Sequence, residues 1–169
     1  MTVARTGLQP AAAQQFTAYD LEARAEGDEH LPLFLELSAA LTGFSEAELL
    51  ATGNVRHLFE ELGVTVGVGP RAAFLQIGLP PQKLLLHAIY GPLAKNVLRM
   101  WYLGRWQRLP DNVMTALRTT FSEVDAFGRN FERVISARAY REGLVWPAVG
   151  AHPPAAKPPG FASWAEPPR

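Results

Sequence analysis

The chain has no cysteine among its 169 residues. That excludes disulfides, thiolate metal sites, iron–sulfur clusters, cysteine nucleophiles and thioether-linked haem, and it leaves the redox compartment unreadable from sulfur. Long apolar runs are missing too: no segment approaches the ~18 apolar residues that a membrane helix needs. The opening residues, MTVARTGLQPAAAQQF, hold neither a twin arginine nor an apolar stretch of signal-peptide length. The expectation is a chain with no export signal of its own and no bilayer span. Histidine is scarce and scattered. His30, His57, His87 and His152 never stand three or four residues apart, the spacing at which one helix face chelates a metal, so no zinc site is expected.

Net charge is zero, from 16 basic and 16 acidic side chains, so no whole-molecule field points to nucleic acid or to an acidic substrate. The distribution is uneven. Residues 1–62 carry 3 basic and 10 acidic side chains, and residues 63–169 carry 13 and 6, giving −7 and +7. The two halves should attract each other, or each should suit an oppositely charged partner; solvated helix faces that differ in sign would read the same way.

Patterns that carry chemistry are missing as well. VGVGPR at 66–71 lacks the lysine and the strand–turn–helix setting of a phosphate loop, and no GxSxG elbow occurs. Ser38, Ser45, Ser122, Ser136 and Ser163 have no base placed by local sequence. Asp20 with Glu22 and Glu60 with Glu61 are neighbours on faces that read as exposed, unlike the opposed, desolvated pair of acid–base catalysis. His57 beside Glu60 and Glu61 reads as part of a solvated face. His87, between Leu86 and Tyr90, reads as a core-edge histidine with a satisfied ring nitrogen, and nothing specific supports a haem pocket there. No catalytic, cofactor-binding or metal-binding residue is expected in this chain.

What is present is ordinary globular composition, 48% hydrophobic and 19% charged, at a length that suits one domain with a sizeable core. Residues 1–29 are polar and end in the acidic DLEARAEGDE, which reads as a flexible arm. Residues 30–146 read as a helical domain. Leu33, Phe34, Leu37, Ala40 and Leu41 form a helical stripe ended by Gly43, and Ser45 with Glu48 makes a capping box. Asn54 can cap a helix through Val55, Leu58, Phe59 and Leu62 to Gly63. VTVGVGP at 64–70 reads as an extended loop, and the next helix runs from Arg71 to Ile77. Pro81 suits the first position of a helix running to Tyr90, which Gly91-Pro92 interrupts or kinks. Leu93 to Trp106 continues with an apolar face, flanked by Arg99, Arg105 and Arg108. Asp111 opens a last long helical region through Phe121, Phe127, Phe131 and Val134, and Ala137 to Trp146 forms a helix that stops before Pro147. The fold class is all-α, an irregular bundle of five to seven helices with no credible sheet.

Residues 147–169 form a different kind of segment. Seven of the fourteen prolines lie there, yet Val149, Phe161 and Trp164 supply apolar anchors. Proline fixes φ and removes donors, so such a tail is extended and loses little entropy on docking, whereas a free linker needs no aromatics. The basic, aromatic stretch around Trp101, Tyr102 and Trp106 superficially suits nucleic acid, but its helical spacing and apolar neighbours favour a packed seam or a protein interface.

Three segments together suggest a family: FLELSAALTGF at 34–44, VLRMWYLGRW at 97–106, and VISARAYREGLVWPAVGAHPPAAKPPGFASWAEPP at 134–168. In that order, over about three quarters of the chain, they resemble the small subunit of membrane-bound FAD-dependent sugar and polyol dehydrogenases, typified by sorbitol and fructose dehydrogenases. The resemblance implies a non-catalytic helical subunit bound to a large glucose-methanol-choline-type flavoprotein. A multihaem cytochrome c completes the complex and passes electrons to quinone. FAD would belong to the large subunit and haem c to the third, while the small subunit assists maturation, stability and export of its partner. By position, Trp101, Tyr102, Leu103 and Gly104 match the family's helix signature, and Pro158, Pro159, Gly160, Phe161 and Trp164 its proline–aromatic tail. Trp101, Tyr102, Gly104, Trp106, Trp146, Pro158, Pro159, Phe161 and Trp164 are the expected partner-interface residues. Many members carry a twin-arginine signal and a tail cysteine, and this sequence has neither; Phe161 stands where tyrosine is more usual. The implied location is the periplasm, reached through the partner, with the cytoplasm as the alternative. The competing reading is a stand-alone helical ligand-binding or protein-interaction module, and a stand-alone enzyme is the weakest of the three.

Overall fold

In a computed structural model the described residues are 29–121, 129–151 and 153. Helix α1 spans Leu31–Thr42 and ends as expected at Gly43, whose left-handed φ of 79° lets its N–H close on the Ala39 carbonyl. Its deepest line is Phe34, Ser38 and Thr42, rotated from the purely apolar stripe. Phe34 fixes that rotation by packing between Phe59 at 5.7 Å and Trp101 at 6.4 Å between ring centroids. Helix α2, Glu46–Ala51, starts with the capping box: Ser45 Oγ accepts from the Glu48 N–H, and Glu48 Oε2 accepts from the Ser45 N–H at 2.8 Å.

Helix α3 spans Val55–Val66 and buries Val55, Leu58, Phe59, Leu62, Gly63 and Val66, though Asn54 donates no side-chain cap. It runs past Gly63, and the expected loop at 64–70 is instead the end of α3, a break at Gly67 with φ 95°, and the start of α4, Val68–Leu75. Two facts explain the difference. Pro70 sits in the first turn of α4, where its missing N–H costs nothing. Gly63 is needed for packing and does not terminate the helix: a Cβ there would lie 2.5 Å from Arg71 Nη1. Arg71 is buried with its guanidinium 3.8 Å above the Phe59 ring and one N–H donated to the Phe59 carbonyl.

Helix α5, Pro81–Leu86, begins at Pro81 but ends before His87. There the chain turns, and His87 Nδ1 accepts from the N–H groups of Ile89 and Tyr90 at 3.2 and 3.1 Å. Gly91-Pro92 therefore sits in the first turn of α6, Tyr90–Leu103, and does not kink a running helix. Gly91 is required because a Cβ would lie 2.7 Å from the Leu85 carbonyl oxygen. The buried face of α6, Leu93, Ala94, Val97, Met100 and Trp101, is the centre of the core against α1, α3 and α5.

Helix α6 stops at Gly104, and Arg105–Trp106 is a short strand, β1, antiparallel to β2, Arg133–Val134, with Arg105 opposite Val134 and Trp106 opposite Arg133. The expectation of no sheet is corrected only to this two-residue ladder; the chain is all-α in architecture. Helix α7, Asp111–Phe121, starts as expected with an acidic first residue, while the continuation at 122–128 lies outside the described residues. The expected helix over 137–146 divides into α8, Ala137–Arg141, and α9, Val145–Ala148, with Gly143 between them. Pro147 lies within the single turn of α9, where it needs no donor. Among the described residues no helix is long and apolar enough to cross a membrane.

Candidate functional site

The residues singled out at the end of α6 are brought together with α8 and α9 in one seam. Gly104 adopts φ 61°, and the backbone of α8 passes so close that a Cβ would stand 2.6 Å from Tyr140 N and 2.7 Å from Ala139 C. From the other side, a Cβ on Gly143 would stand 2.7 Å from the Tyr102 carbonyl oxygen. Two backbone bonds lock the contact: Leu144 N–H donates to Trp101 O and Ile135 N–H to Gly104 O, at 2.9 and 2.8 Å. The glycines are there because main chain meets main chain.

Around this seam the aromatic residues take different roles. Trp101 and Trp106 are 1% exposed, so the expectation of a partner interface formed by their side chains is replaced by a core role. The apolar stripe of α6 is the domain centre, and β1 turns Trp106 inward, where its indole N–H donates to Asn130 Oδ1 at 3.3 Å. Tyr102 is half-buried, donating to the Thr42 carbonyl and meeting Phe44 edge-on at 6.3 Å. Trp146 is half-buried, unlike Trp101 and Trp106. Its indole N–H donates to the Tyr140 carbonyl at 2.8 Å and its ring stands edge-on to Tyr140 at 5.4 Å. Pro158, Pro159, Phe161 and Trp164 lie outside the described residues.

Trp146 borders a groove of about 400 Å³ between α2 and the α8–α9 corner, walled by Phe44, Glu48, Ala51, Leu144 and Pro147. Ala151 and Pro153, the last described residues, line it too, and Pro153 is buried. The Glu48 carboxyl on its wall is held below its ordinary pKa by the hydrogen bonds from Ser45. A second, mostly apolar groove of about 610 Å³ runs between α1 and residues 74–81. A third, of about 220 Å³, is basic, with Lys95, Arg99 and Arg108 at its walls, although Arg108 is paired with Asp111. Burial pushes the Tyr90 phenol above its ordinary pKa.

Several contacts could not be found from sequence because their partners are far apart in the chain. His57 Nε2 lies 3.1 Å from Ser136 Oγ, a serine–histidine pair. Ser136 Oγ also accepts the Ala139 N–H as the cap of α8. The histidine that reads as core-edge, His87, is a backbone cap, and His30 Nε2 meets the Gln76 amide at 2.8 Å. Among the described residues no group of three His, Asp or Glu side chains could hold a metal ion. Arg133 reaches Glu61 and Thr65 of α3, both at 2.8 Å, and Asn96 and Asn130 clamp residues 107–109 by pairing with the backbone of Gln107 and Leu109. Comparison with family models, with curated proteins and with solved structures finds no match to this chain.

Proposed function

We propose that the chain is the non-catalytic small subunit of a membrane-associated FAD-dependent sugar or polyol dehydrogenase complex. It would bind and stabilise a large glucose-methanol-choline-type flavoprotein and assist its maturation or export. In this reading FAD sits in the large subunit, haem c in a multihaem cytochrome c subunit, and the complex at the periplasmic face of the inner membrane. The sequence resemblance supplies the identity of the partner. The structural observation that supports an interaction role is apolar surface on a body whose core is already closed: Leu86 is 86% exposed, and Phe131 and Val134 are more than half exposed. Phe131 and Val134 flank Arg133, which is anchored on Glu61 and Thr65, and Val64 beside Thr65 in the chain is exposed as well. That places apolar side chains on a rigid, hydrogen-bonded base, as interfaces require.

Co-expression with a glucose-methanol-choline-type flavoprotein from the same genome, with purification through a tag on the small chain, tests the reading. Flavin absorbance should follow the tag. A monodisperse monomer that leaves the flavoprotein behind overturns it. A second reading, a helical module for an apolar ligand, is favoured by the groove lined by Leu33, Leu37, Phe74, Ile77 and Leu79, and would show as a ligand retained through purification.

A further inference from the structure

The described chain ends inside the groove beside Trp146. Pro153 is buried there, against walls that include Phe44, Leu144, Trp146 and Pro147. The next residues, PAAKPPGFASWAEPPR, contain further prolines at 154, 158 and 159 and the aromatics Phe161 and Trp164. We propose that this groove is the receptor for the chain's own continuation, residues 154–169, bound extended and in cis.

Three observations lead there. Pro153 is itself one of the residues that line the groove, so the segment that follows it starts at the groove wall. An aromatic-walled groove is the surface on which extended proline-rich segments dock, because their backbone lacks donors and loses little entropy on binding. The supply is also at hand. An extended segment advances about 3.1 Å per residue, so every residue up to Phe161 stays within roughly 25 Å of Pro153. Charge agrees: Glu48 on the wall keeps its carboxylate in the capping box, and the cation Lys157 lies four residues beyond Pro153. The proposal concerns the isolated chain and does not rest on the identity of any partner.

The experiment compares full-length chain with a chain ending at Pro153 by two-dimensional amide and indole NMR, then adds the synthetic peptide 154–169. Truncation is expected to shift the Trp146 indole N–H and the amides of Ala51, Thr52 and Gly143, and the peptide to restore them. Since a tethered segment competes at an effective concentration on the order of millimolar, the peptide should bind the truncated chain at least about tenfold more tightly than the full chain. Ala51→Arg, at an exposed position on the wall, should reproduce the truncation shifts in the full-length chain with the fold intact, and a peptide with Phe161→Ala and Trp164→Ala should not restore them. Unchanged signals on truncation overturn the proposal. So do shifts that grow with protein concentration alongside a doubled sedimenting mass, which would seat the tail in a second copy.

Discussion

Replacing Gly104 by alanine should be far more damaging than replacing Gly43, although both glycines end helices at left-handed φ, 61° and 79°. An alanine in that region costs about 1–2 kcal/mol at either position, and the loss of unfolded-state freedom is common to both. The surroundings differ. A Cβ at Gly43 meets nothing within 4 Å, whereas at Gly104 it would stand 2.6 Å from Tyr140 N and 2.9 Å from Ala139 O. Those are main-chain atoms, which cannot rotate aside. Relief requires α8 to move outward, stretching the Leu144-to-Trp101 and Ile135-to-Gly104 hydrogen bonds. Overpacking of this kind adds about 1–3 kcal/mol, so Gly104→Ala should cost roughly 2–5 kcal/mol in all. In melting temperature, at roughly 2–4 °C per kcal/mol for a chain of this size, the loss is about 4–20 °C, against about 2–8 °C for Gly43→Ala. Urea melts of the two variants, monitored by far-UV circular dichroism, measure the difference directly. Equal losses would refute the idea that main chain meets main chain at this seam.

Asn130→Ala should cost about 2–3 kcal/mol in the same assay, because the Trp106 indole and both backbone groups of Leu109 lose their partner together. Arg133→Ala should cost about 1.5–3 kcal/mol, since the nearly buried Glu61 loses its 2.8 Å partner and keeps only Arg129 at 3.7 Å, whereas Arg105→Ala, whose partner Glu132 is mostly exposed, should cost less than about 0.5 kcal/mol. Ser45→Ala should cost about 1 kcal/mol at neutral pH through the lost cap. The Glu48 carboxyl lies below its ordinary 4.5 in the folded chain, so its contribution is full above that value and fades as pH falls through the lowered folded value. The penalty of Ser45→Ala, read from urea midpoints over a pH series, should therefore shrink in acid.

Much of the helical architecture is legible because its signals are local. The Ser45–Glu48 box, Gly43, Pro81 and Asp111 each mark a boundary through neighbours within four residues. The misread elements are those where a residue serves a distant contact. Gly63 looks like a helix stop and is a platform for Arg71; Gly91 looks like a kink and is the close approach to Leu85; Gly143, inside what reads as one helix, is the close approach to the Tyr102 carbonyl. Trp101 and Trp106 show the same limit. Composition marks them as important, but Trp101 is turned inward by the buried face of α6, and only the turn at Gly104 and the pairing of β1 with β2 decide that Trp106 faces inward. The Ser136–His57 and Arg133–Glu61 contacts join residues more than seventy positions apart and leave no trace in spacing.

The proposed role as an accessory subunit is tested most directly by sedimentation of the purified chain with a glucose-methanol-choline-type flavoprotein, the partner proposed for it, comparing wild type with Leu86→Glu and Phe131→Glu. Both substitutions fall on exposed side chains, so the fold should be unchanged. Wild type is predicted to sediment with the flavin absorbance, and at least one of the variants to separate from it. A wild-type chain that sediments as a free monomer, with the flavoprotein unaffected, would contradict the account.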